Sequence, residues 1–326
     1  MNIKRIIEQL KRVYAPINHG RKIYKKICKK YGKDICVCIS QHPALGDAFL
    51  TGMYLEETNK CKYIVTTVGE GAAEVYEMFG VENIEILSQI ETDNFIRFCE
   101  FMSISQDKIR VLHHQALAWN TGIVWNFQGV HNINFLQLLE NVVFDHVDIA
   151  KRKYPKITVN SGKEKKWSEM GIKKEESIIL FPYANTLYAP PIWFWERLVQ
   201  NLKHITENIY TYVSKDEVPI LGTKAISEEI KYITPLVEYA GKVIGVRNGI
   251  MDIIGNSSAK KIILYPDFGT DDWIKGNSID YWSLVKFQLA NNVVELEWNE
   301  ENLLEIIYVF LTIFLYLLKC PQSLIL

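Results

Sequence analysis

Three observations predict an α/β protein with two doubly wound, parallel-sheet domains facing a cleft. Short apolar runs alternate with helical patterns from Asp34 to Leu112. The same alternation restarts at Ser177, after a charged stretch, Lys151–Lys174, that carries Pro155 and Ser161-Gly162 and reads as a linker. Val243–Pro266, VIGVRNGIMDIIGNSSAKKIILYP, then reads as strand, tight turn, helix and strand, a βαβ unit whose strands lie side by side. Alternation of this kind builds a parallel sheet. Two such halves joined by a linker leave a cleft, the usual place for a ligand.

The bulk numbers fit that organisation. A chain of 326 residues is long for one core. Apolar residues make up 48% and charged residues 23%, an ordinary globular composition, and a net charge of −1 gives no global pull toward nucleic acid. The charge is unevenly spread, since residues 1–33 carry eleven Lys/Arg against one acid, Glu8. The six cysteines (Cys28, Cys36, Cys38, Cys61, Cys99, Cys320) contain no CxxC pair and read as reduced thiols of a cytoplasmic protein. The N-terminus alternates charged and apolar residues, unlike a secretory signal.

In chain order, Ile3, Ile6, Ile7, Leu10, Val13 and Tyr14 share a helical face, and Pro16 is expected to end that helix. A second basic helix is expected with Tyr24, Ile27, Cys28 and Tyr31 as its stripe. Such helices either lie on an anionic membrane surface or pack on their own domain with a solvated basic face. Strands are expected at Asp34–Ser40, Tyr63–Val68, Asn83–Leu87 and Ile109–Leu112, with helices after Asp47 and at Gly71–Phe79 and Thr92–Met102. His113–Ile149, with Trp119, Trp125, Phe127, His131 and Phe135, reads as loops and a helix. Beyond the linker come strand Ser177–Phe181, a helix opened by Pro190-Pro191, strand Ile209–Val213, loop Ser214–Thr223 and helix Ser227–Tyr239. Ile306–Leu318 is uncharged but shorter than the ~20 residues that span a bilayer, and reads as a buried or cross-domain helix, with a membrane-dipping end as the alternative. The expected divisions are residues 1–33 (basic amphipathic helices), 34–160, 161–300 and 301–326 (apolar helix).

Several motifs bear on chemistry. In the βαβ unit Asn248 is a good N-cap, Gly249 allows close backbone approach, and Arg247 adds a positive charge, an arrangement suited to a diphosphate at a helix N-terminus. Gly46 suits a tight turn after the first strand, and Asp47 then opens a helix, as a base toward the cleft or as a simple N-cap. Gly69-Glu70-Gly71 lacks the third glycine of a dinucleotide fingerprint and reads as a turn. His113-His114 closes a strand as a ligand pair or as half-buried edge residues. No His/Cys set has zinc spacing, and Asp145–Asp148 and Asp271-Asp272 lack a D-x-D arrangement, so no metal site is expected.

ALGDAFLTGMYLEE resembles the LGD opening of the heptosyltransferase-type (family 9) GT-B glycosyltransferases. IILFPYANTLYAPPIWFWERLVQNL and EYAGKVIGVRNGIMDIIGNSSAKKIILYP are similar to their second-domain and donor segments, in the same order. The resemblance covers roughly Asp34 to Pro266. It implies a GT-B fold of two Rossmann-like domains, with a nucleotide-sugar held by the C-terminal one and an acceptor met by the N-terminal one. The aspartate proposed as base in such enzymes maps onto Asp47. The chain departs where the family pattern has an acid and a His, having Arg247 and Asp252 instead, and Ala189-Pro190-Pro191 stands where a lysine is expected. The donor is therefore expected to be a nucleotide-sugar other than ADP-heptose, for a glycan or lipid-linked acceptor of surface or capsular polysaccharide, on the cytoplasmic face of the membrane. Tyr183, Asn185, Thr186 and Thr223 are the further expected nucleotide contacts. A non-catalytic nucleotide-sugar-binding subunit and a nucleotide-sugar 2-epimerase are the alternative readings of the same architecture.

Overall fold

The computed structural model describes residues 3–58, 62–105, 108–113, 134–144, 151–184, 187–214, 216–267, 278–309 and 312, with side chains from residue 12 onward. The chain divides into two compact units, Met1–Val124 with Leu138–Lys156, and Trp125–Gln137 with Ile157–Leu326.

Among the described residues the first unit holds four parallel strands, β1 (Cys36–Ile39), β2 (Tyr63–Val68), β3 (Ile84–Leu87) and β4 (Ile109–Val111), in the order β3-β2-β1-β4. Val37, Ile39, Ile64 and Ile109 turn one sheet face toward helices α1 (Ile3–Tyr31) and Gln89–Phe101, where Ile23, Ile27, Phe95 and Phe98 complete the core. Helices Leu45–Gly52 and Glu70–Met78 pair through Thr51 Oγ1 and the buried Tyr76 hydroxyl, 2.9 Å apart. Contrary to the expected break, α1 runs unbroken through Pro16. Ile17, Gly20, Tyr24, Ile27 and Tyr31 keep one helical phase beyond the proline, so docking offsets its cost of roughly 3 kcal/mol. Gly20 permits the close approach, since a Cβ there would lie 2.1 Å from the Asn94 carbonyl oxygen.

A buried triad ties the rest of this unit down. Arg152 donates from Nη2 to Glu140 Oε1 at 2.7 Å and from Nε to the Tyr54 hydroxyl at 2.6 Å, and Tyr54 donates to the same carboxylate. Arg152 therefore belongs to a folded core rather than to a linker. Ser161–Glu169 is likewise a helix, capped by Asn160 and anchored by the buried Trp167, whose indole N–H donates to Glu228 at 2.8 Å. The expected linker Lys151–Lys174 is thus largely ordered at both ends.

Among the described residues the second unit holds six parallel strands: β5 (Ser177–Phe181), β6 (Ile209–Tyr212), β7 (Lys224–Ile226), β8 (Gly241–Val246), β9 (Lys260–Pro266) and β10 (Val293–Trp298), in the order β10-β9-β8-β5-β6-β7. Ile178, Leu180, Ile244, Val246, Ile262 and Leu264 face helix Ile192–Leu202, with Leu303, Ile306 and Ile307 in the same cluster. The apolar tail thus begins as a core helix over 303–309, and the rest of the expected stretch, apart from residue 312, lies outside the described residues. The opposite face carries helices Ile230–Ala240 and Gly249–Ile254, where a Cβ on Gly245 would meet Met251 Cε at 2.7 Å. Pro266 is the last residue of β9, paired with Trp298. Among the described residues no helix is long and apolar enough to cross a membrane.

Candidate functional site

Each sheet has one place where strand order reverses, and open α/β sheets bind ligands there, beyond the carboxyl ends of the strands. In the first unit the reversal lies between β1 and β4, and in the second between β5 and β8. The residues singled out in the sequence fall largely at these two places.

At the first reversal, Gln41-His42-Pro43-Ala44 leaves β1 and enters helix Leu45–Gly52. The helix is capped at Ala44, with no side-chain hydrogen bond, so Asp47 is not its N-cap. It is the third helical residue, half-buried, where the helix dipole favours its charge. Gly46, expected to make a tight turn, is instead a buried helical residue. The positive φ at this end of the sheet belongs to Gly69, at +82°, whose added Cβ would sit 3.7 Å from Pro43 Cβ. His42, in the loop after β1, meets His113, just beyond β4, edge to face with centroids 4.7 Å apart. Burial lowers the pKa of His42, opposed by the nearby Asp93 carboxylate. The His42–His113 pair bridges the reversal and was not legible, because the two residues are 71 positions apart in the numbering. His114 lies outside the described residues.

At the second reversal Asn248 joins the two strand ends. Its Oδ1 accepts from the N–H groups of Ile250 (3.0 Å) and Met251 (3.2 Å), and its Nδ2 donates to the Tyr183 carbonyl at 2.8 Å. Two of the N–H groups expected to face a diphosphate are therefore occupied by the cap, which leaves the Gly249 N–H as the donor it does not use. The Tyr183 hydroxyl donates to the Val218 carbonyl and fixes the loop after β6 against the same site.

Arg247 differs from its expected form as an open positive charge. It is 4% exposed and donates from Nη2 and Nη1 to the Asp252 carboxylate at 2.6 and 3.0 Å. Its Nη1 also reaches the Asn248 carbonyl at 2.7 Å and its Nε the Trp282 carbonyl at 2.9 Å. Burial opposes the guanidinium charge, but the Asp252 carboxylate beside it holds its pKa above the ordinary value. The network continues through Tyr265, which donates to Glu295 at 2.5 Å, while Glu295 also accepts from Ser283 and from the Leu284 N–H.

Thr223 does not join this group. It precedes β7, at the opposite end of the sheet, with its hydroxyl 2.6 Å from that of Thr211 and 2.7 Å from the Ile220 carbonyl that accepts from it. Asn185 and Thr186 lie outside the described residues, as do Asp271 and Asp272. Among the described residues no group of three His, Cys, Asp or Glu could hold a metal ion.

No protein-family model matches the chain, and no curated protein matches it. Solved structures do. A glycosyl transferase of family 9 from Veillonella parvula superposes with a TM-score of 0.52 at 12% identity, over 87% of this chain and 97% of its own. The E. coli ADP-heptose lipopolysaccharide heptosyltransferase II gives 0.55 at 9% identity, over 86% and 99%. The fold expected from the sequence resemblance is the fold found: the chain has the GT-B architecture of these glycosyltransferases, with a Rossmann-like parallel sheet in each unit.

Proposed function

We propose that this chain is a glycosyltransferase, moving a sugar from a nucleotide-diphospho-sugar to a glycan or lipid-linked acceptor of surface or capsular polysaccharide without a metal. The observation that carries this reading is the position of Asp47 and of the Asn248–Tyr183 link at the two strand-order reversals of a GT-B fold. The structural neighbours, a family 9 transferase and an ADP-heptose heptosyltransferase, support the reaction class.

In the proposed step an acceptor hydroxyl oxygen attacks the anomeric carbon. The new C–O bond forms as the anomeric bond to the diphosphate breaks. The hydroxyl proton passes to the Asp47 carboxylate, and the nucleoside diphosphate leaves with the bonding pair. Gly46 lies buried in the same first helical turn. In the second unit Asn248, Gly249 and Tyr183 meet the donor, with Asn185 and Thr186 as further nucleotide contacts. The Arg247–Asp252 pair carries no net charge, so its part is to hold the Asn248 turn in shape. Thr223, with its hydroxyl committed to the turn, is left out.

A thermal-shift screen against UDP-, GDP-, ADP- and dTDP-sugars should find one that stabilises the protein. Asp47→Asn should then keep affinity for that donor while turnover falls at least about 100-fold, the scale of general-base loss. Full turnover in the variant would remove Asp47 from the chemistry. Stabilisation by none of the donors would remove the transferase reading.

A further inference from the structure

Helix Ile192–Leu202 has a second face that the core does not use. Phe194, Trp195, Leu198, Val199 and Leu202 turn into the core of the second unit. Arg197, Gln200 and Asn201 stand at i, i+3 and i+4, one stripe on the helix surface, and His204 follows in the turn that ends it. On the helix over 303–309, Leu303, Ile306 and Ile307 reach the same core, while Leu304 and Tyr308 are 47% and 66% exposed. Between the two helices lies a cavity of about 270 Å³, with Arg197, Gln200, Asn201 and His204 on one wall and Leu304 and Tyr308 on the other.

This cavity is not the donor turn. A helix that follows a parallel strand runs back against it, so Ile192 starts near the carboxyl end of β5 and Leu202 lies toward its amino end. The helix is about 16 Å long, and Arg197 to His204 occupy the half away from Asn248.

The two walls select for different parts of a ligand. One offers a guanidinium, two amides and an imidazole, all planar hydrogen-bonding groups. Asn201 Nδ2 already donates to the Arg197 carbonyl at 2.8 Å, which leaves its Oδ1 to accept from a ligand hydroxyl. The other wall offers an aromatic ring and a leucine, which gain by being covered with apolar surface. A pyranose ring satisfies both, with hydroxyls around its edge and C–H groups on its faces. The volume suits one such ring and is smaller than sites that enclose drug-sized ligands.

Charge narrows the choice. Glu196, Glu301 and Glu305 lie on or beside these two helices, yet among the described residues no carboxylate lines the cavity or bonds to Arg197. Arg197 is a planar cation without a counter-charge, and its N–H fork fits a carboxylate.

We infer that this cavity is a carbohydrate site, separate from the proposed donor turn, that takes one acidic sugar unit. The sugar carboxylate meets Arg197, its hydroxyls meet Gln200, Asn201 and His204, and one ring face covers Tyr308. The inference goes beyond the proposed transfer, since it needs neither Asp47 nor the Asn248 turn.

The His204 ring signals of the full chain are followed by NMR while glucuronic acid or glucose is added. They should shift saturably with glucuronic acid, and glucose should bind at least about tenfold more weakly, the scale of a lost hydrogen bond to a charged group. Arg197→Met should bring glucuronic acid down to the level of glucose. Tyr308→Ala should weaken both sugars alike. Both positions are exposed, and both variants should respond to nucleotide-sugar in thermal shift as the parent does. His204 signals that ignore glucuronic acid, answer both sugars equally, or respond unchanged in either variant overturn the site. A parent that sediments as a dimer and becomes monomeric on Tyr308→Ala also overturns it, by giving the cavity to a second copy of the chain. A parent that binds glucuronic acid here but is stabilised by no nucleotide-sugar would keep this site and strike the transferase reading alone.

Discussion

The two sheets reverse strand order in the same manner, yet their polar groups are held differently at the two reversals. In the second unit nearly every group is tied to another. Asn248 caps two N–H groups and binds Tyr183, and Arg247 has four of its five N–H donors committed to Asp252, Asn248 and Trp282. In the first unit the helix entering after β1 has no side-chain cap, and His42 and Asp47 are half-buried. A tied turn keeps one shape and presents backbone to a ligand, which suits recognition of a fixed phosphate geometry. A partly exposed carboxylate can take up and release a proton. The difference predicts that substitutions in the second turn act first on stability, and those in the first act on chemistry.

Arg247 gives the largest expected effect. Arg247→Ala strands the Asp252 carboxylate in the core and should cost about 3–5 kcal/mol of unfolding free energy, the range for breaking one side of a buried pair. Arg247→Met combined with Asp252→Leu should recover most of that loss. Denaturant midpoints of the three proteins decide. A single variant that is nearly as stable as the parent but loses diphosphate affinity would make Arg247 a ligand cation after all, and the contrast between the two turns would collapse.

A second cation in the same sheet sharpens the point, because it has no carboxylate bound to it. Lys261, at the amino end of β9, is fully buried, and its Nζ donates to the Ser257 and Ala259 carbonyls at 2.8 Å each. Burial pushes its pKa down to about 7, with the Glu238 charge opposing weakly. The unfolded chain therefore holds a proton that the folded one lacks from pH 7 up to the ordinary lysine range. Across that window stability rises with pH, and the full penalty applies below 7. It amounts to a few kcal/mol at about 1.4 kcal/mol per unit. The gap in stability between the parent and Lys261→Met should narrow or reverse between pH 7 and pH 9 if the lysine is the source. An unchanged gap would show that Lys261 is charged throughout.

How much of this was legible depended on whether a signal was local. Strand β2 is rich in β-branched residues and β5 is apolar after Ser177, and the ends of both were read to the residue. The Asn248 cap was visible because capping needs only a short polar residue before a periodic run. Strand β7 is three residues long with two of them exposed, and β10 alternates Glu295 and Glu297 with apolar residues at the sheet edge, so neither carried a strong apolar run. Pro16 was misread because a local helix breaker was outweighed by packing on a helix some eighty residues away. Arg247 and Asp252 were both singled out, but as separate groups. Their pairing depends on the first turn of helix Gly249–Ile254 bringing position 252 back over the loop, which spacing alone does not reveal.

The smallest effect belongs to the first reversal, where the half-buried imidazole of His42 sits between the His113 ring and the charge of Asp93. Burial lowers its pKa, so its neutral form is favoured in the fold, while the unfolded chain titrates near the ordinary value of about 6.5. As pH falls below that value the unfolded chain takes up the proton first. The stability held above it is then lost progressively as pH drops toward the lowered folded value. An NMR titration of the His42 ring protons should give a midpoint below the ordinary histidine value. Asp93→Asn, which removes the opposing charge, should lower the midpoint further, whereas His42→Gln should flatten the acid limb of the stability curve. A midpoint at or above the ordinary value would mean that solvent or Asp93 outweighs burial at this turn. The first reversal would then be more open than its His–His contact implies.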